Sequence, residues 1–157
     1  MFDKALAAAG PTPLFSNKSA DVLDVYILTA AELNARGDPV TAEKILRQVY
    51  RYRPDSPWLL LELSYIEARK GDTAGALELL DRARRRSAPQ GASEAYARTG
   101  DIYFNTGAYA RAGEMYRRAL ELNPVQQLAL DGQAALRAMK TGPGGTGDNE
   151  GEGLWHQ

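Results

Sequence analysis

The 157-residue chain has no cysteine and a single histidine. Without cysteine it forms no disulfide, no thiolate nucleophile and no cysteine-ligated metal site, and it is compatible with either redox compartment. The histidine, His156, follows a glycine-rich stretch in which nothing orients it as a catalytic base or metal ligand. We therefore predict neither an enzyme nor a metal or cofactor site. Any catalytic activity would have to rest on carboxylates alone, so an enzyme is the least favoured of the three functions considered.

Net charge and long apolar runs are also scarce. Nineteen Lys and Arg against 20 Asp and Glu leave a net charge of −1, which favours neither nucleic acid nor an anionic membrane as partner. The leucines of residues 59–61 are followed at once by Glu62, and no run is long enough to span a bilayer. The apolar stretch before Gly10 is too short for a signal peptide. We predict a soluble cytoplasmic protein without membrane insertion, or a periplasmic one if the chain is a piece of a longer precursor.

One basic cluster invites a nucleic-acid interpretation. It comprises Arg82, Arg84, Arg85 and Arg86. The cluster ends a predicted helix, where cations interact well with the unpaired carbonyls of the last turn, and no aromatic residues interleave with it. A structural role is therefore favoured.

What the sequence does contain is an internal repeat. Glycines follow three amphipathic segments at Gly37, Gly71 and Gly107, with separations of 34 and 36 residues. The same separations recur at a small residue (Ala42, Ala76, Ala112) and at a larger one four positions later (Leu46, Leu80, Tyr116). Each unit thus has a tight turn that needs positive φ and a second segment whose small residue permits close helix packing.

Apolar residues at three- and four-residue steps predict a helix on each side of every glycine. The predicted pairs are 20–36 with 40–52, 57–70 with 73–86, and 92–106 with 109–122. Pro54, Pro89 and Pro124 close the second helices, because proline cannot continue a helix interior. A further amphipathic segment at 125–140 is predicted to be a capping helix.

This pattern resembles the tetratricopeptide repeat over about residues 23–126. The third unit carries the most matches: Tyr96, Gly100, Tyr103, Gly107, Tyr109, Ala112, Tyr116, Ala119, Leu120 and Pro124. The first unit departs from the family pattern at Ala30 and Val49, where the family usually has glycine and alanine. In the second, Ser64 and Glu67 replace the usual glycine and tyrosine, and the link to the third unit is two residues longer.

The resemblance implies an all-α fold, a right-handed superhelix of three antiparallel helix-turn-helix repeats with a C-terminal capping helix. The domain would cover residues 20–140, with repeats at about 23–56, 57–92 and 93–126. Residues 1–19 would be an N-terminal segment, predicted to form a short cap helix over the first repeat. Residues 141–157 are glycine-rich and predicted to be a disordered tail, since they offer too few apolar groups to offset the entropy of ordering.

In this family the first helices of successive units line a concave groove that holds peptides. The family's groove positions fall here on Ile27, Leu28, Ala31, Trp58, Leu61, Glu62, Tyr65, Arg69, Arg98, Asp101, Phe104 and Asn105. Family members that clamp a chaperone's C-terminal carboxylate use lysines and asparagines, and Ile27 and Ala31 replace two of these. The aromatic and leucine side chains instead favour a groove for apolar side chains of a partner, with the charged residues setting its orientation. For each aromatic, the alternative is packing between neighbouring helices.

Two functions of different classes follow. The first is a non-catalytic interaction module that binds a peptide segment of another protein, as an adaptor, co-chaperone or secretion-type chaperone. The number of repeats is similar to that of bacterial type III secretion chaperones, and the Ala, Arg and Gly content is compatible with a bacterial source. The second is a scaffold that forms homo-oligomers through its apolar surfaces. Leu154 and Trp155 in the tail are a docking motif, a segment that folds back into the groove, or inert; the sequence leaves these three open.

Overall fold

The structure, a computed structural model, describes residues 20–141. The predicted N-terminal cap at 1–19 lies outside the described residues, as does the predicted disordered tail from residue 142 onward. The described part contains seven α-helices and no strand, which confirms the all-α prediction. They are α1 (Ala20–Ala35), α2 (Pro39–Tyr50), α3 (Pro57–Lys70), α4 (Thr73–Arg86), α5 (Pro89–Asn105), α6 (Tyr109–Leu122) and α7 (Gln127–Thr141).

The turns within the three helix pairs follow the predicted chemistry. Gly37, Gly71 and Gly107 have φ values of 88°, 86° and 79°. A Cβ on any of them would meet no atom within 4 Å, so the requirement for glycine comes from the backbone conformation and not from crowding. After two of these turns an aspartate caps the next helix: Asp38 accepts from the Thr41 amide at 3.0 Å, and Asp72 from the Gly75 amide at 2.9 Å.

Helix boundaries differ from the prediction mainly at proline. The sequence pattern used Pro89 only as the end of a helix, but α5 begins at Pro89, three residues before the predicted start at 92. Proline fits the first helical turn, where no backbone N–H is needed. The earlier start of α5 absorbs the longer link between the second and third units. At the other end of the described part, α7 runs from Gln127 through Thr141, so Thr141 is helical and not part of a tail.

The helices form two layers. Each unit pairs its two helices, and the first helices also contact one another in sequence, α1 with α3, α3 with α5, and α5 with α7. Within residues 20–141, the second helices α2, α4 and α6 do not pack backbone against backbone. Helix α4 reaches α2 through a side chain, since Arg82 donates to the Tyr50 hydroxyl at 3.1 Å. The first helices therefore form the continuous inner layer of the array, while the handedness of a superhelix stays a prediction.

Three apolar clusters fill the space between the layers. The first joins α1, α2 and α3 around Ile27 and Leu46, the second joins α3, α4 and α5 around Leu80, and the third joins α5, α6 and α7 around Tyr116. The small residues Ala42, Ala76 and Ala112 are fully buried, as expected for positions where two helices approach closely. Each cluster thus uses one large side chain of a second helix to bridge neighbouring units.

Candidate functional site

Three residues predicted to line the groove are buried instead. Ile27 is 0% exposed and packs in the first cluster, while Leu61 and Glu62 are each 6% exposed. The prediction is wrong for these three as surface residues, because helix α3 contacts α1, α2, α4 and α5 and is covered on most of its circumference. Ala31, on α1, is half-buried.

Five other predicted residues come together around one cavity between α3 and α5. Tyr65 and Arg69 line it from α3, and Arg98, Asp101 and Asn105 from α5. Its volume is about 240 Å³. Because this is smaller than the clefts of roughly 300–1,000 Å³ that hold drug-sized ligands, it suits a single side chain better than a cofactor.

The lining of the cavity also includes residues that were not predicted to line the groove. They are Ser64, Ala68, Leu80 and Ile102. Ala68 lies three positions after Tyr65 and Ile102 four after Arg98, so helical spacing from the predicted residues was the signal that could have found them. Leu80 comes from α4, the second helix of its unit, and reaches the cavity from behind the inner layer.

The remaining predicted residues lie elsewhere. Leu28 on α1 and Trp58 in the first turn of α3 are exposed, at 57% and 37%, but neither lines the cavity. Phe104 packs against the third cluster and meets the Tyr109 ring edge-on, with centroids 5.5 Å apart. For Phe104 the structure therefore shows the packing role that was the alternative for each aromatic.

A chain of polar side chains crosses the inner layer and includes Arg98 of the cavity wall. Arg98 donates to Glu94 at 2.7 Å, to the Leu61 carbonyl at 3.0 Å and to Glu62 at 3.4 Å. Asn34 of α1 donates to the other Glu62 oxygen at 3.5 Å, and Gln126 donates to Glu94. Since burying a carboxylate is costly unless it is paired, the Arg98 guanidinium accounts for a buried Glu62. Arg98 is thus engaged within the protein.

Asp101 connects the cavity wall to the third cluster. The buried Tyr116 hydroxyl donates to Asp101 at 2.6 Å. Burial raises the pKa of the Asp101 carboxyl, and the Tyr116 hydrogen bond opposes this by favouring the charged form. Burial, together with the hydrogen bond to the carboxylate, raises the pKa of the Tyr116 hydroxyl, so it stays protonated and remains a donor.

Arg69 is the cavity cation whose charge stays available. Its guanidinium lies 5.7 Å from the centre of the Tyr65 ring and donates to the Tyr65 hydroxyl at a long 3.5 Å. Among the ion pairs of residues 20–141, none involves Arg69. An apolar cavity with a guanidinium that is not ion-paired can hold an apolar side chain of a peptide whose neighbouring residue is acidic.

The structure also bears on the basic cluster, on metal binding and on membrane-spanning helices. The basic cluster at the end of α4 is engaged internally: Arg84 and Arg85 contact Asp81 at 2.6 and 2.5 Å, and Arg82 and Arg86 contact Asp55 at 3.4 and 3.0 Å. Residues 20–141 contain no group of three or more His, Cys, Asp or Glu placed to hold a metal ion. None of the seven helices has the length and apolar character needed to cross a membrane.

Comparison with known families agrees with the repeat pattern. Two family models, both described as tetratricopeptide repeat, match residues 33–93 and 93–124. Together they cover more than half of the chain. No curated protein matches the sequence.

Proposed function

Since the chain belongs to the tetratricopeptide repeat family, a class of non-catalytic modules that bind other proteins or peptides, we propose that it binds a partner polypeptide in the cavity between α3 and α5. One observation carries this proposal. Tyr65, Arg69, Asp101 and Asn105, predicted from two different helices, border the same apolar-floored cavity. The partner places one apolar side chain in it and an acidic group beside Arg69, in an adaptor, co-chaperone or secretion-type chaperone role.

The size of the site sets the expected strength. One buried anchor and one charge-assisted hydrogen bond must also offset the cost of ordering the partner segment. The expected dissociation constant is therefore roughly micromolar or weaker.

Selection from a displayed library of short random peptides tests the proposal. We expect the wild type to enrich sequences with a large apolar residue next to Asp or Glu. Ala68→Arg, which fills the cavity, abolishes their binding, whereas the matched substitution Ala110→Arg on the exposed start of α6 leaves it unchanged. Circular dichroism checks that both variants stay helical. Peptides that bind Ala68→Arg as well as wild type would place the binding site elsewhere.

A homo-oligomeric scaffold is the second candidate, and α1 favours it. Val25 and Leu28 lie one turn apart and are 60% and 57% exposed. Paired apolar residues of this kind on an end helix offer a surface to a second copy. Sedimentation over a range of concentrations, on wild type and Leu28→Glu, tests this candidate: a dimer that the charge disrupts supports it, and a monomer throughout removes it.

A further inference from the structure

The cavity between α3 and α5 specifies its occupant chemically. It has room for one large apolar side chain, with Leu80 and Ile102 as apolar lining, and a guanidinium at Arg69 that no carboxylate of residues 20–141 neutralises. A segment that fits places an apolar anchor beside acidic residues and carries no cation to repel Arg69.

The sequence after the last helix has this composition. Among residues 142–157, Leu154 and Trp155 are the only large apolar residues. Asp148, Glu150 and Glu152 precede them, and the stretch contains no lysine or arginine. Its charge is therefore complementary to that of Arg69.

The direction of the last helix brings this segment to the correct end of the array. Short links join α5, α6 and α7, which pack as successive neighbours, so α7 runs parallel to α5 and contacts it. Thr141, the last residue of α7, therefore lies at the same end as Asn105 and Arg69. The cavity is lined mainly from that half of α3 and α5. The start of α1 lies at the opposite end.

The length between the helix and the apolar pair is also sufficient. Leu154 lies 13 positions after Thr141. With neighbouring helix axes about 8–10 Å apart, the cavity is about 15 Å from α7. A glycine-rich linker of 13 residues has a typical end-to-end distance of about 20 Å. The linker thus matches the span, which is the condition for a high effective concentration of the tethered segment.

From this match of chemistry, direction and reach, we infer that the Leu154–Trp155 segment of the same chain docks in the α3–α5 cavity, with its acidic residues beside Arg69, and competes with partner peptides. The inference rests on the proposed function, because it names a regulator of the same site. A tether that supplies millimolar effective concentration keeps even a weak intramolecular ligand largely bound.

Tryptophan fluorescence of the full chain tests the docking. Trp58 and Trp155 are the two tryptophans, so Trp58→Phe leaves Trp155 as the only reporter. We expect Trp155 to resist acrylamide quenching in this chain. Adding Ala68→Arg makes it severalfold more accessible, as accessible as in a peptide of residues 142–157, while adding Ala110→Arg changes nothing. Equal quenching in all three chains overturns the inference, and so does protection that grows with protein concentration, since a second copy would then be the docking site.

Peptide binding separates this inference from the proposed function. In the full chain with Leu154→Ser and Trp155→Ser the segment no longer competes, and a library-selected peptide is expected to bind about tenfold more tightly than to wild type. An unchanged affinity overturns the competition while leaving the proposed function intact. Absence of any peptide binding to this variant contradicts the proposed function itself, whatever Trp155 shows.

Discussion

Two neighbouring junctions of the inner layer, α3 with α5 and α5 with α7, use the same repeat position in opposite ways. At the first, Leu80 lies at the base of an open cavity. At the second, Tyr116 occupies the equivalent position, packs against Gly100 and Gly132, and donates its hydroxyl to Asp101. A Cβ on either glycine would overlap the Tyr116 ring. The size of one side chain on the second helix therefore distinguishes the filled junction from the one that retains a cavity.

The largest expected effect comes from making the closed junction resemble the open one. Tyr116→Leu removes ring contacts and a charge-assisted hydrogen bond, and we expect it to lower the free energy of unfolding by about 2–4 kcal/mol. In the first repeat, Ala30 and Leu46 occupy the positions of Gly100 and Tyr116. The double variant Gly100→Ala, Tyr116→Leu should accordingly lose less free energy of unfolding than the two single variants lose together. We expect a difference of about 1–3 kcal/mol, measured by urea unfolding. If the two losses simply add, the small residue at position 100 is not required by the large side chain at position 116.

A smaller effect is expected when only the small partner is changed. Gly100→Ala forces a methyl group into the Tyr116 ring and should cost about 1–2 kcal/mol, even though alanine is the better helix former. Gly113→Ala is the matched control, because its Cβ would lie an ordinary 3.5 Å from Leu136 Cδ1. Thermal unfolding should show the control to be stabilised by about 0.5–1 kcal/mol. Destabilisation of both variants alike would mean that crowding against Tyr116 is not the cause.

The smallest expected effect is on the pH dependence of stability, through Asp101, which lines the cavity of one junction and accepts from Tyr116 of the other. Burial raises the pKa of Asp101 in the folded state, so the folded protein takes up this proton at higher pH than the unfolded chain. The contribution of Asp101 to stability is then present at low pH and lost as pH rises through the folded pKa. Asp101→Asn keeps an acceptor for Tyr116 without the titration. Urea unfolding should show the wild type losing stability relative to Asp101→Asn as the pH rises above the ordinary pKa of an aspartate, about 3.9. A difference that does not change with pH would show that Asp101 does not titrate in this window.

Local features were the most predictable part of the fold. The turn glycines, the ends of α3, α4 and α6, and the full burial of Ala42, Ala76 and Ala112 follow from backbone sterics and helical periodicity, both of which act within one repeat.

The site was predicted only in part, for a physical reason. Residues 59–64 of α3 are all buried, because the helix lies between α1, α2, α4 and α5. A helix covered on most sides has no amphipathic stripe from which the groove face can be read. Tyr65 and Arg69, predicted as groove residues, line the cavity, whereas Leu61 and Glu62, predicted alongside them, are buried. The pairing of Glu62 with Arg98 joins residues 36 positions apart and leaves no local signal.

The polar chain through Asn34, Glu62, Arg98, Glu94 and Gln126 has a consequence for assembly of the array. Repeats with similar apolar surfaces can stack on the wrong neighbour, or slide by one helical turn of about 5.4 Å, while still burying much of the same area. Hydrogen bonds do not survive such a displacement, and each misplaced stack would leave the Glu62 carboxylate buried without its guanidinium. The polar chain therefore favours the native register of α3 against α1 and α5 over displaced packings that bury a similar apolar area.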